Sequence, residues 1–203
     1  MKVEILVNNA LYFANEAKTC YASGGWTQLL TEAEKNRLCT MYQRNQSKRD
    51  TLIVGTRACD CICFIKGLLA GASETVFPPY SAIAGCSVGD CTVAAFGDKL
   101  LDRIENPGSN VPYGYALVRN GEHAALSLGD GRYIDASYEI QNGKCIQNGV
   151  KIKELKPGMF TRAGKIPGVE YGETSSTSAG TKSERETLEA FCKWAIDEFL
   201  ATR

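Results

Sequence analysis

The sequence predicts an α+β domain, because helical patterns fill its first half and short-strand patterns fill its second. Up to Gly71, apolar residues recur at spacings of three and four, which is the period of one helix face. From Tyr113 onward, short apolar runs alternate with turn dipeptides such as Asn120-Gly121, as in an antiparallel meander. We therefore expect amino-terminal helices packed on a central antiparallel meander.

The composition is that of a globular protein without a global charge. The chain has 203 residues, 44% of them hydrophobic and 23% charged, which suffices for one domain with its own core. Basic and acidic residues number 23 each, so no net field favours nucleic acid or an anionic membrane. No stretch reaches the ~20 apolar residues of a membrane-spanning helix. We expect no nucleic-acid partner and no membrane span.

The amino terminus predicts synthesis in the cytoplasm without a signal peptide. Met1 to Leu11 contains Glu4, Asn8 and Asn9, which interrupt the apolar core that a signal peptide needs. The nine cysteines are an odd number in a chain that is not small. We therefore interpret most of them as free, buried thiols.

Two helices are predicted before the first cysteine-rich stretch. Residues 3–18 place their apolar side chains on one helix face. A capping-box pattern at Thr31 and Glu34 opens a second helix that runs toward Tyr42. The segment from Gln43 to Asp50 is polar and basic, and we expect it to be exposed.

A third helix is predicted from Cys61 onward, where Gly67 and Gly71 keep one side small and favour close backbone packing. Residues 72–110 are the least regular part of the chain, and we interpret them as a variable insertion. One helix is predicted inside it, from the apolar spacing of Val93 to Ile104.

Four strands and a terminal helix complete the prediction. The strands are Tyr115–Val118, His123–Leu128, Arg132–Ala136 and Val150–Ile152, separated by turns at Asn120-Gly121, Gly129–Gly131, Asn142-Gly143 and Asn148-Gly149. After the domain at 1–172, residues 173–183 form a Ser/Thr/Gly linker, and 184–203 form an amphipathic helix. Its apolar stripe folds back on the domain, pairs with a second copy or docks on a protein partner.

Cys61 and His123 are the candidate nucleophile and base. Cys61 lies where a turn meets a helix start, a position that favours the thiolate. His123 is the only histidine and thus the only imidazole that could take the thiol proton. Asp135, one hairpin further on, could orient that imidazole. Taken alone, a cysteine is more often a core thiol and a histidine more often a hydrogen-bonded structural residue, and Asp135 could equally be a solvated carboxylate.

A metal site is the competing interpretation of Cys59, Cys61 and Cys63. Zinc sites usually space their ligands as Cys-x2-Cys or wider, and alternate positions of an extended chain face opposite sides. The glycine turns lack the strand-to-helix phosphate motif. We therefore expect neither a metal nor another cofactor.

Four stretches, in order, resemble motifs of the NlpC/P60 cell-wall peptidases, which are papain-like cysteine hydrolases of peptidoglycan. Thr19 to Trp26 resembles the family's Thr-Pro-Tyr-x-x-Gly-Gly segment, and Asp60 to Ile65 resembles Asp-Cys-Ser-Gly-Phe-Val. Glu122 to Gly131 resembles Gly-His-Val-Gly-Ile-Tyr-Leu-Gly-Asn-Gly, and Tyr133 to Ala136 stands where the family has Ile-His-Ala. The resemblance spans residues 10–170 and is nearest to the phage-associated branch of gut Firmicutes.

The resemblance implies a papain-like NlpC/P60 fold and a cysteine endopeptidase or amidase that cleaves peptidoglycan stem peptides, between γ-D-glutamate and the diamino acid. It implies Cys61 as nucleophile, His123 as base, Asp135 as the orienting residue and Tyr21 near the oxyanion and substrate. Asp135 replaces a histidine but can still accept the imidazole hydrogen bond.

The sequence departs from the family motifs at four further positions. Cys20 replaces a proline, Ile62 and Cys63 replace serine and glycine, and Glu122 replaces the glycine that usually precedes the histidine. These replacements keep the nucleophile and the base, whereas the larger Cys63 side chain could narrow the cleft.

Two other function classes stay open. A non-catalytic module would hold wall peptides or help assemble a phage tail, and Cys63 in the motif favours it. A papain-like amidase or acyltransferase on a non-wall substrate would fit a chain without an export signal. A wall enzyme made in the cytoplasm would reach its substrate after lysis or as part of a phage particle.

Overall fold

The fold is α+β, as predicted, with six helices and two sheets in the part of the chain that is described. The computed structural model describes residues 1–142 and 144–172. Contacts divide the chain into one unit at Met1–Glu170 and another at Tyr171–Arg203. The predicted linker and terminal helix lie outside the described residues.

Short helices and strands alternate along the first unit. The helices are α1 (Val3–Asn15), α2 (Glu32–Met41), α3 (Gln43–Gln46), α4 (Cys61–Leu69), α5 (Tyr80–Ala84) and α6 (Val93–Lys99), with a 3-10 turn at Arg49–Thr51. The strands are β1 (Thr19–Tyr21), β2 (Trp26–Leu29), β3 (Arg57–Cys59), β4 (Leu101–Glu105), β5 (Ala116–Arg119), β6 (His123–Ser127), β7 (Arg132–Gln141), β8 (Lys144–Glu154) and β9 (Arg162–Lys165).

The two sheets differ in size and direction. The larger has the order β4-β9-β5-β6-β7-β8, and all its neighbouring strands are antiparallel. Its β5 to β8 segment is the predicted meander. The smaller has the order β1-β3-β2, in which β1 runs parallel to β3. Because β3 leads directly into α4, this small sheet fixes where the Cys61 helix begins.

The predicted packing of helices on the meander is confirmed by the contacts of α1 and α4. Helix α1 lies against β7 and β8, and α4 lies against β6 and β7. Phe13 of α1 and Phe64 of α4 are fully buried and meet edge to face, with ring centroids 5.7 Å apart. The helix that carries Cys61 therefore packs against both α1 and the strands that carry His123 and Asp135.

The two glycines of the α4 region have different roles. A Cβ added at Gly67 would lie 2.7 Å from the Thr27 side chain, so the predicted close packing holds there. Gly71 lies beyond the helix end, where its φ of +92° suits glycine, and nothing surrounds it. Gly71 thus helps to end the helix rather than to pack it.

Two sequence predictions are wrong because distant strands decide the local conformation. Leu101 and Ile104 were expected in a helix, but they lie in β4, which pairs with β9. Helix α6 accounts for Val93–Lys99 alone. Asn148-Gly149 was expected to form a turn, but it lies within β8 opposite β7. There Gly149 has a φ of +117° and lies so close to β1 that an added Cβ would be 2.8 Å from the Thr19 carbonyl oxygen.

Candidate active site

Asp60 fixes the start of the helix that carries Cys61. Its Oδ1 accepts the backbone N–H of Cys63 at 2.8 Å, so Asp60 is the N-cap of α4. Its Oδ2 accepts the N–H of Gly24 at 2.9 Å. The same carboxylate therefore joins the nucleophile helix to the Gly24-Gly25 segment and places Cys61 in the first turn, where the helix dipole favours a thiolate.

The paired glycines let their segment lie against the strand before Cys61. A Cβ at Gly25 would be 2.9 Å from the backbone of Ala58 and Cys59, too close for a side chain. The N–H of Asp60 donates to the Gly25 carbonyl at 3.0 Å, which closes this contact. Tyr21, four residues earlier, is thereby brought beside the catalytic candidates.

His123 and Asp135 contact each other directly, as their predicted roles require. His123 Nε2 lies 2.8 Å from Asp135 Oδ2, and the two side chains are 12% and 2% exposed. In the sheet, Leu126 pairs with Ile134. His123 lies three positions before Leu126 and Asp135 one after Ile134, so both side chains point to the opposite face from that pair. The imidazole also stacks on Phe160 at 6.4 Å between ring centroids.

Cys61 lies next to His123: its Sγ is 3.9 Å from the carbonyl oxygen of Glu122, the preceding residue, and its side chain interacts with the imidazole. Because Asp135 contacts Nε2, Nδ1 is the ring nitrogen that remains for a thiol. Burial lowers the pKa of His123, but the hydrogen bonds to Asp135 and Cys61 and their negative charges outweigh burial and raise the pKa to about 9. This environment favours the imidazolium form of His123 at neutral pH.

The cysteines around Cys61 are held as neutral thiols. Burial raises the pKa of Cys59 and Cys20, and burial followed by the charge of Asp60 raises that of Cys63. All eight cysteines within the described residues are free thiols, and half of them are buried. Cys59 and Cys63 thus pack beside the nucleophile candidate and do not compete with it.

A pocket of about 280 Å³ opens next to His123 and Asp135. Tyr21 lies in its wall, where burial, followed by the charges of Cys61 and Asp60, raises the pKa of its hydroxyl. The hydroxyl therefore stays protonated and can donate a hydrogen bond. Further polar side chains of the wall come from α3, β5, the turn between β5 and β6, β7 and β8: Arg44, Arg119, Glu122, Ser137, Tyr138, Glu139 and Lys153.

Tyr21 is held in place by contacts that the sequence did not indicate. Its N–H donates to Asn148 Oδ1 at 2.8 Å, and its carbonyl accepts from Lys48 Nζ at 2.9 Å. The Lys48 ammonium lies 4.3 Å from the ring centroids of both Tyr21 and Tyr138. The segment around Lys48 was expected to be exposed, yet this side chain is buried because it ties Tyr21 to β7.

The structure brings together Cys61, His123, Asp135 and Tyr21, the four residues that the sequence singled out. It adds Lys153, whose Nζ donates to Asp135 Oδ2, and Gln147, whose Nε2 donates to Asp135 Oδ1, both at 3.3 Å. The sequence did not indicate either residue: Lys153 alternates with apolar residues as an exposed strand residue would, and Gln147 precedes the predicted turn at Asn148-Gly149. Within residues 1–142 and 144–172, no group of three or more His, Cys, Asp or Glu side chains is arranged to hold a metal ion.

No protein-family model matches the chain, and no curated protein matches it. The class that the structure itself establishes is a mixed α+β fold with antiparallel strands. Among the described residues, no helix has the length and apolar character needed to cross a bilayer.

Proposed function

We propose that the chain is a cysteine endopeptidase or amidase of the NlpC/P60 type that cleaves a stem-peptide bond of peptidoglycan. The observation that carries the proposal is the position of His123, whose Nε2 lies 2.8 Å from Asp135 Oδ2 and which lies beside the Cys61 thiol. Nucleophile, base and orienting group thus stand in the order that thiol acyl transfer requires. The sequence resemblance supplies the substrate class and the preference for the bond after γ-D-glutamate.

The reaction follows from the chemistry of these groups. The Cys61 thiolate attacks the scissile carbonyl carbon, and backbone N–H groups at the start of α4 stabilise the oxyanion, with the Tyr21 hydroxyl nearby. The imidazolium of His123 then gives its proton to the leaving amine as the C–N bond breaks. A water molecule, deprotonated by His123, hydrolyses the resulting thioester and regenerates the thiol. Asp135 keeps the ring of His123 oriented in both its charged and its neutral form.

The pocket beside His123 supports a charged peptide as substrate. Arg44 and Arg119 lie in its wall without an ion-pair partner among the described residues, and Glu122 lines the same pocket. Carboxylate and amine groups of a stem peptide would find opposite charges there.

The test is digestion of purified peptidoglycan by the wild type, Cys61→Ala and Cys63→Ala, with the released muropeptides analysed by mass spectrometry. We expect the wild type and Cys63→Ala to release fragments cut after γ-D-glutamate, and Cys61→Ala to release none. Cys63→Ala is the matched control because it removes a thiol of the same helix that is not bonded to His123. Equal release by the wild type and Cys61→Ala would refute the proposal.

A wall-binding module is the second candidate, since Cys61 is only 5% exposed and does not line the pocket beside His123. Co-sedimentation with purified peptidoglycan, in the absence of any fragment release by the wild type, would favour this module.

A further inference from the structure

A lysine contacts the buried carboxylate behind the imidazole. Lys153 of β8 donates from Nζ to Asp135 Oδ2 at 3.3 Å. The same oxygen is 2.8 Å from His123 Nε2. An ammonium group and the imidazole therefore share one oxygen of a side chain that is 2% exposed. No step of acyl transfer as described above requires this second cation.

Lys153 is held in one geometry by two further partners on β7. Its Nζ lies 3.1 Å from Ser137 Oγ and also pairs with the Glu139 carboxylate. Lys153 pairs with Tyr133, which lies two residues before Asp135 on the same face of the neighbouring strand. Asp135, Ser137 and Glu139 alternate along β7, so their side chains share a face. The lysine is thus tied along this face rather than free in solvent.

The other oxygen of Asp135 is also held from β8. Gln147 Nε2 donates to Oδ1 at 3.3 Å. With Lys153 and His123 on Oδ2, both oxygens are engaged, and rotation of the carboxylate would break at least one of these bonds. Strand β8 therefore fixes the plane in which Asp135 meets the imidazole.

We propose that Lys153 is a positioning residue that fixes the orientation of Asp135 and weakens its hold on the imidazolium of His123, which eases proton delivery to the leaving group. The catalytic consequence rests on the proposed function. The effect on His123 itself does not, because it can be measured without a substrate.

The direction of the effect follows from the shared oxygen. A cation beside a carboxylate stabilises its charge, and the same cation repels an imidazolium at close range. Without Lys153, Asp135 would keep the imidazolium as its partner and would bind it more strongly, so the pKa of His123 would rise. The other titratable or charged groups around the pair come from α3, α4 and several strands: Tyr21, Arg44, Cys61, Arg119, Glu122 and Tyr133. Among the described residues, none of these forms an ion pair with Asp135, whereas Lys153 does.

The test is a titration of the imidazole by NMR in the full chain, after removal of any histidine tag. His123 is the only histidine, so its signal needs no assignment. We expect Lys153→Met to raise the titration midpoint by about one pH unit. Lys153→Arg should keep it near the wild-type value, and Glu139→Gln, which removes a competing anion, should lower it.

An unchanged midpoint in Lys153→Met, or an equal change in Lys153→Arg, would overturn the proposal. A lower midpoint in Lys153→Met would also overturn it, because it would mean that the lysine strengthens the imidazolium. Amide dispersion in the same spectra reports folding, and Lys153→Gln serves if the methionine variant does not fold. In hydrolysis, we expect the alkaline limb of the pH profile of kcat to move to higher pH in Lys153→Met, with KM unchanged. Absence of any wild-type hydrolysis would refute the proposed function, while the titration would still decide the role of Lys153.

Discussion

Cys61 and Cys63 lie two positions apart at the start of one helix, yet their surroundings differ in chemistry. Cys61 contacts the imidazole of His123, whereas Cys63 faces the Asp60 carboxylate, which raises the pKa of the Cys63 thiol after burial has already raised it. A positive partner favours a thiolate and a negative one disfavours it. We therefore expect Cys61 to be the more reactive of the two thiols.

This difference predicts selective alkylation at the residue scale. With iodoacetamide near neutral pH, Cys61 should react at least about tenfold faster than the exposed Cys145, because only Cys61 has an imidazolium partner. Peptide mapping by mass spectrometry at short times measures each site. His123→Ala is the control and should bring Cys61 down to the rate of an ordinary buried thiol. Equal labelling of Cys61 and Cys145 in the wild type would contradict the ion pair.

Helix α4 and strand β2 meet at a position that leaves no room for a methyl group. Thr27 has a φ of +77°, which is unusual for a β-branched residue, and it lies where the β2–β3 register shifts. Its side chain fills the space that Gly67 leaves, because a Cβ at Gly67 would lie 2.7 Å away. The side chain of Thr27 at the register shift and the missing side chain of Gly67 in α4 therefore depend on each other.

At this contact we predict a compensating pair. Gly67→Ala should lower the free energy of unfolding by about 1–3 kcal/mol, since the added methyl overpacks the helix–strand contact. Thr27→Gly removes the side chain that it meets, so the double variant should lose less than the sum of the two single changes. Urea denaturation of the four proteins measures the coupling. Gly71→Ala is the comparison at an open site, and its cost comes from the backbone at φ +92° alone, so Thr27→Gly should not relieve it. Additive losses for Gly67→Ala and Thr27→Gly would show that the two positions do not share a contact.

The elements that the sequence predicted are those whose signals are local. Thr31 accepts the N–H of Glu34 and begins α2, and Asp60 caps α4, as capping patterns predict. The strand at Leu101–Glu105 and the position of Asn148-Gly149 inside β8 depend on β9 and β1, far away in sequence. No local pattern contains that information.

The residues of the candidate site also fall into those with a local sequence signal and those without one. Cys61 was indicated by its place at a helix start and His123 by being the only imidazole, and the turn between two strands placed Asp135 near it. Lys153 was not indicated, because a lysine in an alternating strand is usually solvated. Its role emerges only from the pairing of β7 with β8, which brings its ammonium to a buried carboxylate.

Over the whole molecule, the site makes stability depend on pH. The pKa of His123 is about 9 in the folded chain, compared with 6.5 for a free side chain. The folded state therefore binds this proton more tightly, and the resulting stabilisation is complete below about pH 6.5 and is lost as the pH rises through 9. This stabilisation is on the order of 3 kcal/mol, because one pKa unit corresponds to about 1.4 kcal/mol. Solvent screens it little, since the imidazole is largely buried. Burial, followed by the charge of Arg44, lowers the pKa of Lys48 to about 8. Its contribution to stability therefore increases as the pH rises, opposite to that of His123.

Comparison of variants separates the two groups and gives the last prediction. The free energy of unfolding of the wild type minus that of His123→Gln should fall by a few kcal/mol between pH 6.5 and 9.5, as measured by urea denaturation at each pH. Lys48 cancels in this difference because both proteins contain it. Cys61→Ala keeps Asp135 but removes the thiol. The pH dependence of its free energy of unfolding should therefore lie between those of the wild type and His123→Gln. A difference that does not change with pH would show that Asp135 and Cys61 do not hold the imidazolium, and a difference that Cys61→Ala leaves intact would assign the effect to Asp135 alone.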